Sequence, residues 1–137
     1  MKRALIIIGL SLVLVTGLAG AYWYTQIHLP MMRFRDPDWL YYAPPQEQRE
    51  ICHQLLANPF ADFLDLHDVF ITLIDAGDDA SVPLLIRALP RKNGPYYCTW
   101  SHCMEALRKL TNEPAEDWKF EDWHRWWDEK GHAKYDP

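Results

Sequence analysis

Asp75-Ala76-Gly77-Asp78-Asp79-Ala80-Ser81-Val82-Pro83-Leu84-Leu85-Ile86-Arg87-Ala88-Leu89 reads as the end of one helix, a turn, and the start of another. Gly77 suits the position just past a helix C-terminus, because a residue without Cβ adopts backbone conformations that others avoid. Asp78 and Asp79 put carboxylates where the next helix leaves its first N–H groups unbonded and its dipole is positive. Pro83 falls within the first turn of that helix, where a missing N–H costs little. Leu84, Leu85, Ala88 and Leu89 carry its buried face. The stretch therefore predicts an antiparallel helix pair, the first helix over 65–76 and the second over 79–89.

The same period continues on both sides. Upstream, Leu66, Val69, Phe70, Leu73 and Ile74 form the stripe of the first helix, with Asp62 or Asp65 near its start. Before it, Pro45 opens a helix to about Ala57 whose face is Ile51, Cys52, Leu55 and Leu56, and Asn58-Pro59 ends it. Downstream, Pro90 and Asn93-Gly94-Pro95 close the pair. A helix from about Cys98 to Leu110 carries Trp100, Cys103, Met104, Leu107 and Leu110, and Asn112-Glu113-Pro114 breaks it. The last helix runs from about Phe120 to Lys130, with Phe120, Trp123 and Trp127 at spacings of three and four. No stretch alternates with period two, so no sheet is expected and the fold class is all-α.

The N-terminus is of another kind. Lys2 and Arg3 precede residues 4–24, which carry no charge. A helix of that length rises about 30 Å, the thickness of a bilayer's hydrocarbon core. Tyr22, Trp23 and Tyr24 fall where an aromatic belt meets the interface. Residues 1–24 thus read as a transmembrane signal anchor, with a cytoplasmic N-terminus and an exported C-terminal domain, periplasmic or extracellular. Ala19-Gly20-Ala21 has the small-x-small form of a signal-peptidase site, so secretion after cleavage near Ala21 is the alternative. The lipidated cysteine of a lipoprotein box is absent there. Residues 25–45 read as a connector punctuated by Pro30, Pro37, Pro44 and Pro45, without a persistent period.

The stretch 75–89 is similar to a HEAT-like repeat of the short bacterial kind, including the type noted in phycocyanobilin lyases. The likeness lies in the Gly-Asp turn, the Val-Pro that follows, and Leu84-Leu85-Ile86-Arg87-Ala88-Leu89. Residues 100–111 resemble the first helix of a following repeat. Trp123-His124-Arg125-Trp126-Trp127 is similar to the Trp-x-x-Trp-Trp segment that closes such arrays. The resemblance covers about 65–130 and implies a short HEAT-like α-solenoid or helical bundle of about five helices over 46–131, followed by a tail at 132–137. Only one repeat is complete, and the insertion at 90–97 is longer than the usual turn, so helix 46–57 and the tryptophan segment are expected to act as caps.

Composition limits function. With 14 Lys+Arg against 19 Asp+Glu, the net charge of −5 offers no basic stripe for nucleic acid. Cys52, Cys98 and Cys103 are too few for a disulfide scaffold and read as small buried hydrophobes. One disulfide pair remains open in an exported domain. Cys98, His102, Cys103 and His124 raise the thought of a metal, but Cys-x4-Cys lies outside structural zinc spacings; residues 98 and 102 share a helix face while 98 and 103 do not. Asp62, Asp65, Asp68, Asp75, Asp78 and Asp79 each fit a helix end or a solvated face. His53, His67, His102, His124 and His132 have no partner that sequence establishes, and no phosphate loop, HExxH or GxSxG occurs. Trp118, Trp123, Trp126 and Trp127 read as core rather than as a cofactor pocket.

Sequence reading therefore names no catalytic, cofactor-binding or metal-ligating residue and no cofactor. The expected function is non-enzymatic: a membrane-tethered module that binds another protein and is held in the bilayer through residues 4–24. The second expectation, by analogy with HEAT-like lyases, is an accessory protein for a chromophore or cofactor.

Overall fold

The computed structural model describes residues 2–58, 66–92, 97–115 and 117–136; Asp62, Asp65 and the centre of the 90–97 insertion lie outside them. Among the described residues the chain is all-helical, and it divides into two compact units, Met1–Tyr41 and Tyr42–Pro137.

The first unit opens with α1 (Lys2–Trp23), which passes through a π-helical turn, Tyr24–His28, into α2 (Leu29–Phe34). The apolar part of this helix is exposed along its length; Ile8, Leu12 and Leu18 retain 63–65 % of their surface. It is long and apolar enough to cross a membrane. Tyr22, Trp23 and Tyr24 are exposed, and the His28 ring stacks on Trp23 and Tyr24 at 5.2 and 5.3 Å.

The expected irregular connector is instead largely helical, since α3 (Pro37–Tyr42) follows α2 after a short break. The prolines explain both the expectation and the outcome. Pro37 and Pro45 sit at the starts of α3 and α4, where no N–H is required, whereas Pro30 lies inside the continuous helix just past its π turn. The wide π turn just before Pro30 gives room for a ring that would crowd the carbonyl one turn back in a regular helix.

The second unit comprises α4 (Pro45–Leu56), α5 (His67–Ala76), α6 (Ser81–Ala88), α7 (Tyr97–Thr111), α8 (Phe120–Trp126), a π turn (Trp127–Gly131) and α9 (His132–Tyr135). The tail thus begins as a helix. Val69, Phe70 and Leu73 of α5, Leu55 of α4, Val82 and Leu85 of α6 and Leu107 of α7 are completely buried. Burial of a side chain of this size stabilises by about 1.5–3 kcal/mol. Ile74, Leu84 and Met104 are only half-buried, while Ile86 and Ala106 lie inside, so each apolar stripe is rotated slightly from the expected one.

Packing departs from a simple helix pair. α5 lies mainly between α4 and α7, and α6 rests on α4 and α7 rather than along α5. The cause lies at Gly77, which is extended (φ −66°, ψ 164°) and carries the chain away from α5. The aspartates do not cap α6 with their side chains. Its N-cap is Ala80, and the turn closes through Ser81 N–H to Asp78 O (2.9 Å) and Val82 N–H to Asp79 O (3.3 Å).

α7 ends at Asn112, whose φ of 57° is the left-handed conformation that asparagine tolerates. The Asp122 carboxylate accepts the Lys119 N–H at 2.9 Å and opens α8. Trp126, not Trp127, continues the buried stripe of Phe120 and Trp123; Trp127 is half-buried at the start of the π turn. Trp118, Trp123 and Trp126 form one aromatic cluster, with Trp118 and Trp123 edge to face at 4.8 Å.

Gly77 is required for space, since its φ suits any residue. A Cβ there would lie 2.5 Å from Leu73 O and 3.0 Å from a Leu110 methyl. Gly77→Ala should therefore destabilise the chain by roughly 1–2 kcal/mol despite its entropic advantage in the unfolded state. A thermal unfolding midpoint lower by about 4–8 °C per kcal/mol is the expected reading, and an unchanged midpoint would contradict the close approach.

Candidate functional site

Three groups of polar side chains stand out in the second unit. The first lies between α5 and α7, the pair in most extensive contact. α5 begins at His67, and α7 presents Cys98 and His102 one turn apart on a single face. One ligand atom from each of the three lies within 4.8 Å of the others. Cys98 Sγ is 3.8 Å from His67 Nε2, and the two imidazole rings meet edge to face at 4.9 Å. His67 and His102 are half-buried and Cys98 is exposed.

Each histidine also has a carboxylate near Nδ1. His67 Nδ1 lies 3.0 Å from Asp68 Oδ1, and His102 Nδ1 lies 3.5 Å from Glu105 Oε2. A neutral imidazole carries one N–H, so a carboxylate at Nδ1 draws the proton there and leaves Nε2 with its lone pair. Two imidazoles and a thiol are soft-to-borderline donors suited to a transition-metal ion. The ligand types suggested by the sequence were Cys98, His102, Cys103 and His124, without His67. The shared face of 98 and 102 was visible; the partner from another helix was not.

The second group joins α4 to the α5–α6 connection. Arg49 donates through Nη1 to Ala76 O at 3.1 Å and through Nε to Asp78 Oδ2 at 3.0 Å. His53 Nε2 lies 2.7 Å from Ser81 Oγ, which accepts the Asp78 N–H at 3.0 Å and donates to Asp78 Oδ1 at 3.3 Å. A serine, a histidine and an aspartate together invite a catalytic reading, which the geometry opposes. Ser81 is completely buried, and the carboxylate faces the serine rather than orienting the far nitrogen of the histidine. The group is a clamp.

The third is His124, whose Nε2–H donates to Leu89 O and Pro90 O at 3.1 and 3.2 Å. It satisfies carbonyls just past the end of α6 and stands apart from His102. Asp75 of the acidic stretch pairs with Lys109 at 2.7 Å.

All three cysteines are free thiols. Cys52 and Cys103 are fully buried, as expected, and donate weakly to Val69 O and Leu85 O. Burial pushes the Cys52 thiol up to about 12 and raises Cys103 as well, so both stay protonated and inert. Cys98 corrects the expectation of three buried thiols: the start of α7 leaves it at the surface.

No protein-family model matches the chain, and comparison with curated proteins and with solved structures returns no match. The likeness to HEAT-like repeats rests on the residues quoted for it.

Burial holds the His53 pKa below its ordinary value; Asp78 pulls upward against it and Arg49 adds to the lowering. In the unfolded chain this imidazole takes a proton near pH 6.5, and the folded chain resists it. Stability from this group is complete above that pH and is lost as pH falls below it. His53→Gln, which keeps a polar group near Ser81, should flatten the decline of the unfolding midpoint between pH 7.5 and pH 5. Parallel curves for variant and wild type would remove His53 from the account.

Proposed function

We propose that this chain is a membrane-tethered, non-catalytic interaction module whose helical unit binds another protein. The observation that carries the reading is the exposed apolar helix. Side chains such as Ile8, Leu12 and Leu18 remain more than half accessible, an apolar surface whose length suits a bilayer. Lys2 and Arg3 support a cytoplasmic N-terminus and an exported helical unit. Among the described residues the serine–histidine–aspartate grouping has a completely buried serine and is wrongly oriented for catalysis, which supports binding over turnover. Stacked helices of the HEAT-like kind offer ridged surfaces for protein partners, and the outer face of α5 presents exposed Ile71 between Asp68 and Asp75.

A second reading, an accessory protein for a cofactor, is favoured by one observation, the grouping of His67, Cys98 and His102.

Tethering and binding are tested together. The full chain should remain in membranes after alkaline carbonate extraction, and Cys98, the exposed thiol, should react with an impermeant maleimide in intact cells. Purification from native membranes in mild detergent should recover one protein in stoichiometric amount, lost in Ile71→Asp with helicity unchanged. A soluble chain beginning near Tyr22 would establish cleavage instead of anchoring. Recovery of the chain alone would overturn the interaction reading.

A further inference from the structure

We propose that His67, Cys98 and His102 bind a divalent transition-metal ion of borderline softness, of which Zn2+ is the representative. The inference goes beyond the interaction reading and does not rest on it. It starts from distance. With Zn–S near 2.3 Å and Zn–N near 2.0–2.1 Å, a four-coordinate ion holds sulfur and nitrogen ligands about 3.6 Å apart. Cys98 Sγ and His67 Nε2 already stand at 3.8 Å, and the largest separation in the group is 4.8 Å. Closing the set takes about 1 Å of side-chain rotation, on the scale of a rotamer adjustment.

Support for the ligands is the second, independent observation. An imidazole that binds a metal characteristically donates its other N–H to a carboxylate, which fixes the ring and strengthens the ligand. Both histidines here have a carboxylate near Nδ1 from their own helix: Asp68 hydrogen-bonds His67 at 3.0 Å, and Glu105 stands 3.5 Å from His102. A surface pair formed by accident would not need the same arrangement twice. The ligands come from two helices that pack along each other, so their backbone positions are held by the core beneath them.

Three protein ligands leave a four-coordinate ion one position for water or another donor. Cys98 is exposed, so an ion reaches the group from solvent. The two buried thiols, raised by desolvation, do not compete for it.

Cobalt(II) serves as the probe because its bond to a thiolate absorbs in the near ultraviolet and a tetrahedral site gives strong visible bands. Untagged full-length protein in detergent should bind one equivalent, show both features, and lose them on addition of Zn2+. Cys98→Ser should abolish the charge-transfer band. Alkylation of Cys98 in the wild-type chain gives the same readout without a substitution that might affect folding. His67→Ala and His102→Ala should remove binding. Asp68→Asn, which leaves all three ligands in place, should weaken it roughly tenfold to a hundredfold. Absence of the charge-transfer band in wild type, or its survival after Cys98 is replaced or alkylated, overturns the site. The wild-type titration requires no partner protein, so its result is separate from that of the interaction reading.

Discussion

The clamp of α4 on the α5–α6 connection is the constraint from which the second unit is built. Where α5 ends, its last carbonyls have no intrahelical donor, and the chain turns away through an extended Gly77. Arg49 satisfies one of those carbonyls, at Ala76, and holds the Asp78 carboxylate with the same guanidinium. A planar fork with donors in fixed directions meets both acceptors; a lysine would meet one. His53, one turn further along α4, holds Ser81 at the start of α6. One helix thus fixes where its neighbour ends and where the next begins. α6 is directed across α4 and α7, and α5 is left free to lie along α7. The alignment of α5 with α7 is what brings His67 to Cys98 and His102.

The opposite end of the unit is closed by aromatic packing. Trp123 and Phe120 are buried completely, and Trp118 and Trp126 surround Trp123 at ring distances of 4.8 and 5.6 Å. Such edge contacts add about 0.5–1.5 kcal/mol beyond area burial. The π turn that follows brings Gly131 against the Trp126 ring, where a Cβ would approach to 2.7 Å. A wider turn with no side chain at that point lets the chain fold over the indole and continue as α9, whose Tyr135 reaches Trp126 at 6.0 Å. This short helix also touches α6 and so ties the closing segment back to the clamped end.

Much of this was legible in residue order, because helix period and helix punctuation are local. Pro45, Pro83, Asn112 and the apolar spacing of α4 to α8 placed the elements within a few residues. What escaped was decided by contacts between elements. Gly77 was rightly put at a helix end for the wrong reason: its conformation is ordinary, and the need for glycine comes from Leu73 O and Leu110. Asp78 reads as a cap in isolation, yet Arg49 claims its carboxylate. Trp127 fits a 3.6-residue period, but the π turn changes the period at that residue. The prolines of 25–45 punctuate the sequence, yet Pro37 and Pro45 open helices and Pro30 is carried inside one behind a π turn. His67 shows no pattern at all in sequence, since its partners lie 31 and 35 positions away on another helix.

The clamp and the histidine–cysteine group show how the same residue types acquire different chemistry. In the clamp, His53 is held below its ordinary pKa by burial, and its ring nitrogen contacts a hydroxyl that is itself fully engaged. At the α5–α7 surface the histidines are half-buried, and each has a carboxylate near Nδ1, Asp68 for His67 and Glu105 for His102. A buried thiol such as Cys103 stays protonated because no charge compensates its thiolate, whereas at Cys98 a bound cation supplies that compensation. Ligand capacity in this protein therefore follows from where the clamp leaves side chains at the surface. The proposed tether would add to this: confinement at a membrane raises the effective concentration of a module near anything else held there, so a modest outer face of α5 would suffice for the proposed protein contact.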